Sequence, residues 1–260
     1  MKNKLDDILA KRTKPLFMAH ALAGYPTVPD SLTVAEALLA GGADILELQI
    51  PFSDPLADGP TIMEACTVAL ERGAKVHDVF HIAEKLMEKT DAPILIMSYI
   101  NPVFRYGIAA FVADAKRFGI SGLIIPDAPF DSPEGLLLLE ETQKHGLHLI
   151  AVISPGISGE RLTVLAKNAR GFVYCTSRQG ITGVGTFAQD LPTYLTHVRA
   201  LFGIPIALGF GIKTREDFLA AATIADVVIA GSVFVDIIKD TENVTMAIRE
   251  SVQKLISDPP

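Results

Sequence analysis

Residues 41–50 read GGADILELQI, a glycine-containing break followed by a short apolar run. Glycine adopts the left-handed conformation that ends many helices, and a short apolar run bounded by such a break is typical of a buried strand. The same unit recurs before three further runs, Gly122–Ile125, Leu147–Ile153 and Phe172–Cys175. The chain therefore repeats one helix-break-strand pattern.

Four more apolar runs complete a set of eight predicted strands with Ile45–Ile50: they are Leu16–Ala21, Ile94–Ser98, Ile204–Leu208 and Val227–Ala230. Stretches of helical periodicity separate the strands, which implies parallel strands joined by right-handed crossovers. Eight such units favour a closed barrel over an open doubly wound sheet. The sequence predicts an α/β fold, a single (β/α)8-barrel domain over residues 1–260, with an extra helix near residues 1–11.

The composition fits this fold and narrows the class of partner. A length of 260 residues is usual for such a barrel, and 49% of the residues are hydrophobic while Trp is absent. The net charge of −7 argues against nucleic acid or an anionic membrane as the main partner, although a local cluster of N–H groups still binds small anions. The two cysteines, Cys66 and Cys175, form no CxxC pattern, and no apolar run has the length of a signal peptide or a membrane span. These features predict a cytoplasmic protein.

Glu47 is the first candidate catalytic residue. Side chains alternate along a strand, so if Leu46 and Leu48 face the helices, Glu47 and Gln49 face the barrel interior. A buried carboxylate is costly unless it is hydrogen-bonded or functional. Burial would raise its pKa and suit it to proton transfer near neutral pH. A structural carboxylate, paired inside the barrel, is the alternative.

Two further carboxylates, Asp54 and Asp58, follow in the loop after this strand. One of them is placed to accept a hydrogen bond from a substrate N–H at the mouth of the barrel. Ser-Asp-Pro and Asp-Gly-Pro are also strong turn formers. The residues alone leave both interpretations open for Asp58 and favour a structural role for Asp54.

Glycine-rich segments follow the last two predicted strands. Gly209-Phe210-Gly211 comes after strand seven, and Gly231-Ser232 comes after strand eight and opens a short helix. Barrel enzymes often bind phosphate between these two loops, where glycines expose N–H groups beside a helix N-terminus. Close backbone packing is the alternative. Because no dinucleotide or Walker fingerprint is present, a phosphorylated metabolite is preferred.

Other features are less specific. His20, Tyr99 and Tyr174 lie at or near strand ends, where pocket lining and ordinary core packing are both plausible. The histidines lack metal-ligand spacing, so no metal site is predicted. The long loop over residues 176–192, after strand six, is interpreted as a mobile lid on the catalytic face, with a passive surface loop as the alternative.

Residues 46–62, LELQIPFSDPLADGPTI, closely resemble the signature of the tryptophan synthase alpha chain family. The resemblance extends over almost the whole chain, through residues 23–26, 98–102, 125–127, 174–183, 209–211 and 231–232. It implies a (β/α)8 lyase of tryptophan biosynthesis. Such an enzyme cleaves indole-3-glycerol phosphate by a retro-aldol reaction to indole and glyceraldehyde 3-phosphate.

The resemblance also implies roles for individual residues. Glu47 would be the acid/base, Asp58 would hold the indole N–H, Tyr174 would help to position the acid/base chemistry, and Thr182 would reach Asp58 when the lid closes. The phosphate would be bound by a group of loop residues: Gly183, Phe210, Gly211, Gly231 and Ser232. The chain itself would need no cofactor. Pyridoxal phosphate would belong to a partner beta chain in an α2β2 assembly, docked on the loop around Asp54 and Pro55.

Departures from the family pattern cluster at the ring end of the expected pocket. Gln49 replaces the usual glycine, and His20 replaces an aromatic residue, next to changes at Ala19 and Leu22. Gln49 would reduce space near the indole or hydrogen-bond the Glu47 carboxylate. We expect phosphate binding to be intact and the ring pocket to be remodelled.

Two other functions stay open from these departures. One is a barrel lyase or isomerase for a related sugar phosphate, and the other is a subunit that mainly activates its partner. The presence of both Glu47 and Asp58 speaks against the second.

Overall fold

The computed structural model describes residues 3–176, 191–209, 211–241 and 243–257. Within these residues, eight parallel strands close into a barrel in chain order, with the last strand paired to the first. The strands are β1 Leu16–Leu22, β2 Ile45–Gln49, β3 Ile94–Met97, β4 Gly122–Ile124, β5 His148–Ile153, β6 Val173–Thr176, β7 Ile206–Gly209 and β8 Val227–Ala230. Each predicted strand and the barrel itself are confirmed, with strand ends that differ by one or two residues.

Helices cover the outside of the barrel and connect its strands. They are α1 Lys4–Lys11, α2 Val28–Gly41, α3 Pro60–Glu71, α4 Val76–Met87, α5 Ile100–Tyr106, α6 Ile108–Arg117, α7 Pro133–His145, α8 Gly159–Asn168, α9 Leu191–Phe202, α10 Arg215–Ala222, α11 Ser232–Lys239 and α12 Val244–Ile256. The expected glycine stops are present: α2 ends at Gly42 with φ 115° and α7 at Gly146 with φ 67°, both left-handed. Across the described residues, no helix has the length and apolarity needed to cross a bilayer.

The alternation of side chains along β2 is as predicted. Leu46 and Leu48 belong to the apolar core between the strands and the helices. Ile45 belongs to a separate apolar core inside the barrel, and Glu47 and Gln49 point to the same side and line the interior cavity. This alternation brings two polar side chains of one strand to the barrel axis.

The N-terminal helix α1 closes the bottom of the barrel and confirms the predicted extra helix. Leu5 and Leu9 are buried in the interior core. Asn3 caps α1 and donates from Nδ2 to the backbone oxygens of Ser121 (2.9 Å) and Gly146 (3.2 Å), which precede β4 and β5. In the described part of the chain, the barrel interior is therefore packed at the N-terminal ends of its strands.

The loop predicted after β6 lies almost entirely outside the described residues, which resume at α9. Its interpretation as a lid stays a prediction.

Candidate active site

A pocket of about 750 Å³, its mouth included, lies at the carboxyl ends of the strands. Barrel enzymes assemble their active sites on this face, at the carboxyl ends of the strands. Among the described residues, it is lined by His20, Glu47, Gln49, Ala57, Asp58, Ile62, Met97, Ile124, Pro126, Val152, Tyr174, Thr176, Gly211, Ile212, Ile229, Ala230, Gly231 and Ser232. The structure thus brings both ends of the expected site, the carboxylates of β2 and the glycines after β7 and β8, to one pocket.

Glu47 points into this pocket from the middle of β2 with only 4% of its surface exposed. Its Oε2 atom has no hydrogen-bond partner among the described residues, and no described cation forms an ion pair with it. Burial, and secondarily the negative charge of Asp58, raises the pKa of Glu47 to about 8. A structural carboxylate would be paired, so the geometry favours a carboxyl group that is held protonated at neutral pH and faces the cavity.

Asp58 lies in a turn, as one of the two interpretations predicts, and it also lines the pocket. Its backbone N–H donates to the Pro55 oxygen at 2.9 Å, as expected of a turn. Its side chain is buried, and Oδ2 accepts hydrogen bonds from Gln49 Nε2 (2.7 Å) and Tyr99 Oη (2.8 Å). Burial raises the pKa of Asp58 to about 6, although these two hydrogen bonds oppose the shift. Of the two carboxyl groups in the pocket, Asp58 is thus the one that ionises first.

Gln49 hydrogen-bonds Asp58, not Glu47. The expected bond to Glu47 is absent from the described contacts, because the amide extends towards the loop after β2. Its Oε1 atom lies 2.6 Å from His20 Nε2, and its Nε2 atom lies 3.8 Å from Cys66 Sγ. His20 and Gln49 therefore belong to one buried hydrogen-bond network with Asp58.

His20 is held neutral in this network. Burial lowers its pKa to about 4. Its Nδ1 atom is buried without a hydrogen-bond partner in the described part of the chain, and its ring packs against Gly231. A Cβ on Gly231 would lie 3.0 Å from the His20 Cβ, so the glycine permits this approach.

The two candidate tyrosines come from different parts of the barrel, Tyr99 from just after β3 and Tyr174 from β6. Tyr99 follows β3, accepts a hydrogen bond from the Ala57 N–H (3.0 Å) and packs on Phe52, so it fixes the loop after β2. Tyr174 reaches the pocket from β6. Burial, followed by the charges of Glu47 and Asp58, raises the pKa of Tyr174 well above its usual range. A Cβ on Gly209 would lie 2.7 Å from its Oη atom, so only glycine leaves room for this ring.

The expected phosphate end has the predicted form where the structure describes it. Gly211 has φ 80°, which favours glycine. Gly231 precedes Ser232, the first residue of α11, whose N-terminal N–H groups are available to an anion. Phe210, Thr182 and Gly183, the other expected phosphate and lid residues, lie outside the described residues.

Asp54 and Pro55 are not part of the pocket. Asp54 is exposed on its rim and accepts a hydrogen bond from Ser53 Oγ, while Pro55 is buried. Between this turn and the pocket, Leu56 is 76% exposed, and Phe104 on neighbouring α5 is 66% exposed. The sequence reasoning missed both, although an apolar residue inside a polar turn is a signal that could have pointed to Leu56.

The apolar wall of the pocket was also missed. Ile62, Met97, Ile124 and Ile229 line the same pocket as the two carboxyl groups. The alternation of side chains along the strands would have indicated that Met97, Ile124 and Ile229 face the barrel interior. Among the described residues, no group of three or more His, Cys, Asp or Glu side chains is placed to hold a metal ion.

Comparison with known proteins gives one consistent match. Residues 7–257 match the family model of the tryptophan synthase alpha chain. The chain is 38% identical to the tryptophan synthase alpha chain of Desulforapulum autotrophicum over 226 residues, covering 86% of this chain and 88% of the relative. It is 37% identical to that of Thermoanaerobacter sp. strain X514 over 252 residues, 95% of each chain. A solved structure of Mycobacterium tuberculosis tryptophan synthase superposes with a TM-score of 0.89 at 32% identity, covering 98% of this chain and 97% of that one.

Proposed function

The chain belongs to the tryptophan synthase alpha chain family, and we propose that it cleaves indole-3-glycerol phosphate to indole and glyceraldehyde 3-phosphate. The observation that carries this proposal is the unpaired, buried Glu47 carboxyl beside the hydrogen-bonded Asp58 in one pocket. The reaction is a carbon–carbon lyase step in tryptophan biosynthesis. It requires an acid, a base and a site for a transient positive charge.

Glu47 supplies the acid and then the base. Because its pKa is raised to about 8, it is protonated at neutral pH and donates its proton to the indole ring carbon that carries the glycerol chain. The resulting carboxylate takes the proton of the adjacent glycerol hydroxyl. The oxygen becomes an aldehyde, the carbon–carbon bond breaks, and its electron pair returns to the ring. Glu47 ends the cycle protonated.

Asp58 stabilises the charge that develops in between. Protonation of the ring carbon places positive charge on the indole nitrogen, and an ionised carboxylate that accepts the N–H lowers the energy of this state in a dry pocket. The described donors to Asp58 both reach Oδ2, so Oδ1 is the oxygen for the substrate. Tyr174, packed near both carboxylates, holds the ring side of the pocket.

The glycerol phosphate end of the substrate fits the opposite side of the pocket. Gly211, Gly231 and Ser232 offer backbone N–H groups and the N-terminus of α11. The family resemblance adds Gly183 and Phe210 to this phosphate site. It also implies that Thr182 contacts Asp58 when the loop after β6 closes. The proton cycle closes on Glu47, so the proposal assigns no cofactor to this chain.

The partner of this family is the tryptophan synthase beta chain, and we propose that it docks beside the pocket mouth in an α2β2 assembly. Asp54 and Pro55 lie there, next to the exposed side chains of Leu56 and Phe104. The Ala57–Tyr99 hydrogen bond joins the loop after β2 to the start of α5, the helix that carries Phe104. Pyridoxal phosphate then belongs to the beta chain, which consumes the indole.

The test is the release of indole from indole-3-glycerol phosphate by the purified chain, with and without a beta chain. Indole in either assay supports the lyase function, and indole only with the beta chain shows that the partner activates it. No indole in both assays rejects the proposal.

A further inference from the structure

Two chains of hydrogen bonds end on one oxygen of Asp58. On one side, the Ala57 N–H donates to Tyr99 Oη, which donates to Asp58 Oδ2. On the other side, His20 Nε2 lies 2.6 Å from Gln49 Oε1, and Gln49 Nε2 donates to the same Oδ2. The second chain is formed by His20 and Gln49, which both line the pocket.

The direction of the second chain follows from the chemistry of its members. An ionised Asp58 only accepts, so the Gln49 NH2 group faces it and the amide oxygen faces His20. His20 Nε2 must then carry a proton and donate. Each donor polarises the next, which strengthens the final bond to the carboxylate in a buried site.

The opposite nitrogen of His20 fixes this tautomer. Nδ1 is buried with no partner among the described residues. A proton there would be a buried N–H without an acceptor, which costs more than an unfilled lone pair. His20 is therefore neutral with its single proton on Nε2, a fixed donor to Gln49.

We propose that His20 and Gln49 are positioning residues, which orient the Asp58 carboxylate and hold it ionised with Oδ1 turned to the substrate N–H. This inference rests on the proposed function for the substrate. The hydrogen-bond network itself exists without substrate, and so it is testable separately. Neither residue touches the reacting atoms in this assignment.

Packing alone is the competing explanation for these side chains. Gln49 fills space next to Cys66 Sγ, and His20 fills space against Gly231. A space filler leaves the pKa of Asp58 unchanged when an apolar group of equal size replaces it. A donor does not, because loss of its hydrogen bond disfavours the carboxylate.

The experiment measures the pKa of Asp58 by NMR, from the pH dependence of its carboxyl carbon signal in the full chain without substrate. The signal is assigned by its absence from the spectrum of Asp58→Asn. The titratable groups that face Asp58 are Glu47, Tyr99, Tyr174 and Cys66, and these are unchanged in all variants. We expect Gln49→Met, which keeps the volume without the donor, to raise the Asp58 pKa by about one unit. His20→Phe should raise it by less, and Leu48→Val, on the outer face of the same strand, should not move it.

A second variant and a second readout guard against misfolding. Gln49→Gly removes the amide without adding apolar bulk and should shift the pKa in the same direction. The acid limb of kcat/KM for indole release should move with the NMR value in each variant. An Asp58 pKa that is the same in wild type, Gln49→Met and Gln49→Gly, or one that shifts equally in Leu48→Val, overturns the proposal. A wild-type chain that releases no indole either alone or with a beta chain rejects the lyase function, while the NMR titration still decides the role of the network.

Discussion

Gln49 donates a 2.7 Å hydrogen bond from Nε2 to Oδ2 of Asp58, which joins the last residue of strand β2 to the loop that follows it. Because Glu47 lies on the same face of the same strand, one five-residue strand sets the position of both carboxyl groups. Their different hydrogen bonding then separates their pKa values: Glu47 has no described partner, while Asp58 has two. An acid and an anion thus coexist in one pocket at neutral pH.

Glu47→Gln should abolish most of the lyase activity. The amide keeps the shape of the carboxyl group but cannot give and retake a proton, and a positioned acid/base contributes roughly 10²–10⁴-fold to rate. We expect the loss in kcat, with little change in KM, because the phosphate end is untouched. Steady-state indole release measures it, with Glu134→Gln, an exposed acid on α7, as the matched control. Full activity of Glu47→Gln would remove the assigned role.

The pH dependence of kcat/KM should be bell-shaped. The reaction needs Asp58 ionised, so activity falls as pH drops through about 6. It also needs Glu47 protonated, so activity falls as pH rises through about 8. Indole release in well-buffered solutions between about pH 5 and 9.5 measures the acid and the alkaline limb of this profile. A flat profile across this interval contradicts the assignment.

Glu47 should also make the folded state less stable at high pH. Its folded pKa of about 8 lies above the ordinary value of 4.5, so its favourable contribution is complete below pH 4.5 and is lost as pH rises to about 8. The amide in Glu47→Gln does not titrate, so the variant does not lose this contribution to stability. We expect wild type and variant to be equally stable near pH 4.5, and the variant to be more stable at pH 9 by up to about 5 kcal/mol. The free energy of unfolding of both proteins is measured with urea at pH 4.5 and pH 9. A stability difference between variant and wild type that is the same at both pH values contradicts the raised pKa of Glu47.

Gly209→Ala should reduce turnover through Tyr174. The new Cβ would meet the phenol oxygen at 2.7 Å, so the ring must move away from its place near the two carboxylates. We expect kcat to fall about tenfold, as for other displacements of a positioned group close to the reacting atoms. Gly159→Ala is the control, since a Cβ there meets no atom within 4 Å. Unchanged kinetics of Gly209→Ala would show that the Tyr174 position is not needed.

Leu56→Glu and Phe104→Glu should weaken the beta chain complex. Both side chains are large, apolar and mostly exposed beside the pocket mouth, and a charge there would have to be desolvated on docking. We expect at least a tenfold rise in Kd for each, measured by titration calorimetry with a purified beta chain. Leu137→Glu is the control, an equally apolar residue on α7 that is 52% exposed. A similar loss for all three would place the interface elsewhere.

The barrel could be predicted from sequence because its signals are local. Apolar runs bounded by glycine stops define the strands, and alternation within Ile45–Gln49 already turns Glu47 inward. These patterns depend on residues a few positions apart. The closing of α2 by Gly42 is an example in which one residue decides the end of an element.

The partner of Gln49 could not be predicted in this way. Which carboxylate its amide reaches depends on the conformation of the turn that carries Asp58, and that turn is held by Tyr99 from another strand. The exposure of Leu56 has the same origin, because the turn that buries Pro55 and Asp58 points the Leu56 side chain outward. Contacts that need three separate segments leave no periodic trace in the chain.

The packing of α1 against the lower end of the barrel bears on how molecules reach and leave the pocket. Among the described residues, Leu5 and Leu9 pack across the lower end of the barrel interior, and the pocket lies at the opposite end. Leu56, in the loop after β2, and Phe104, on the helix after β3, follow the carboxyl ends of their strands and are exposed. A protein seated on these side chains stands at the exit, so it is the first surface that a departing apolar product meets.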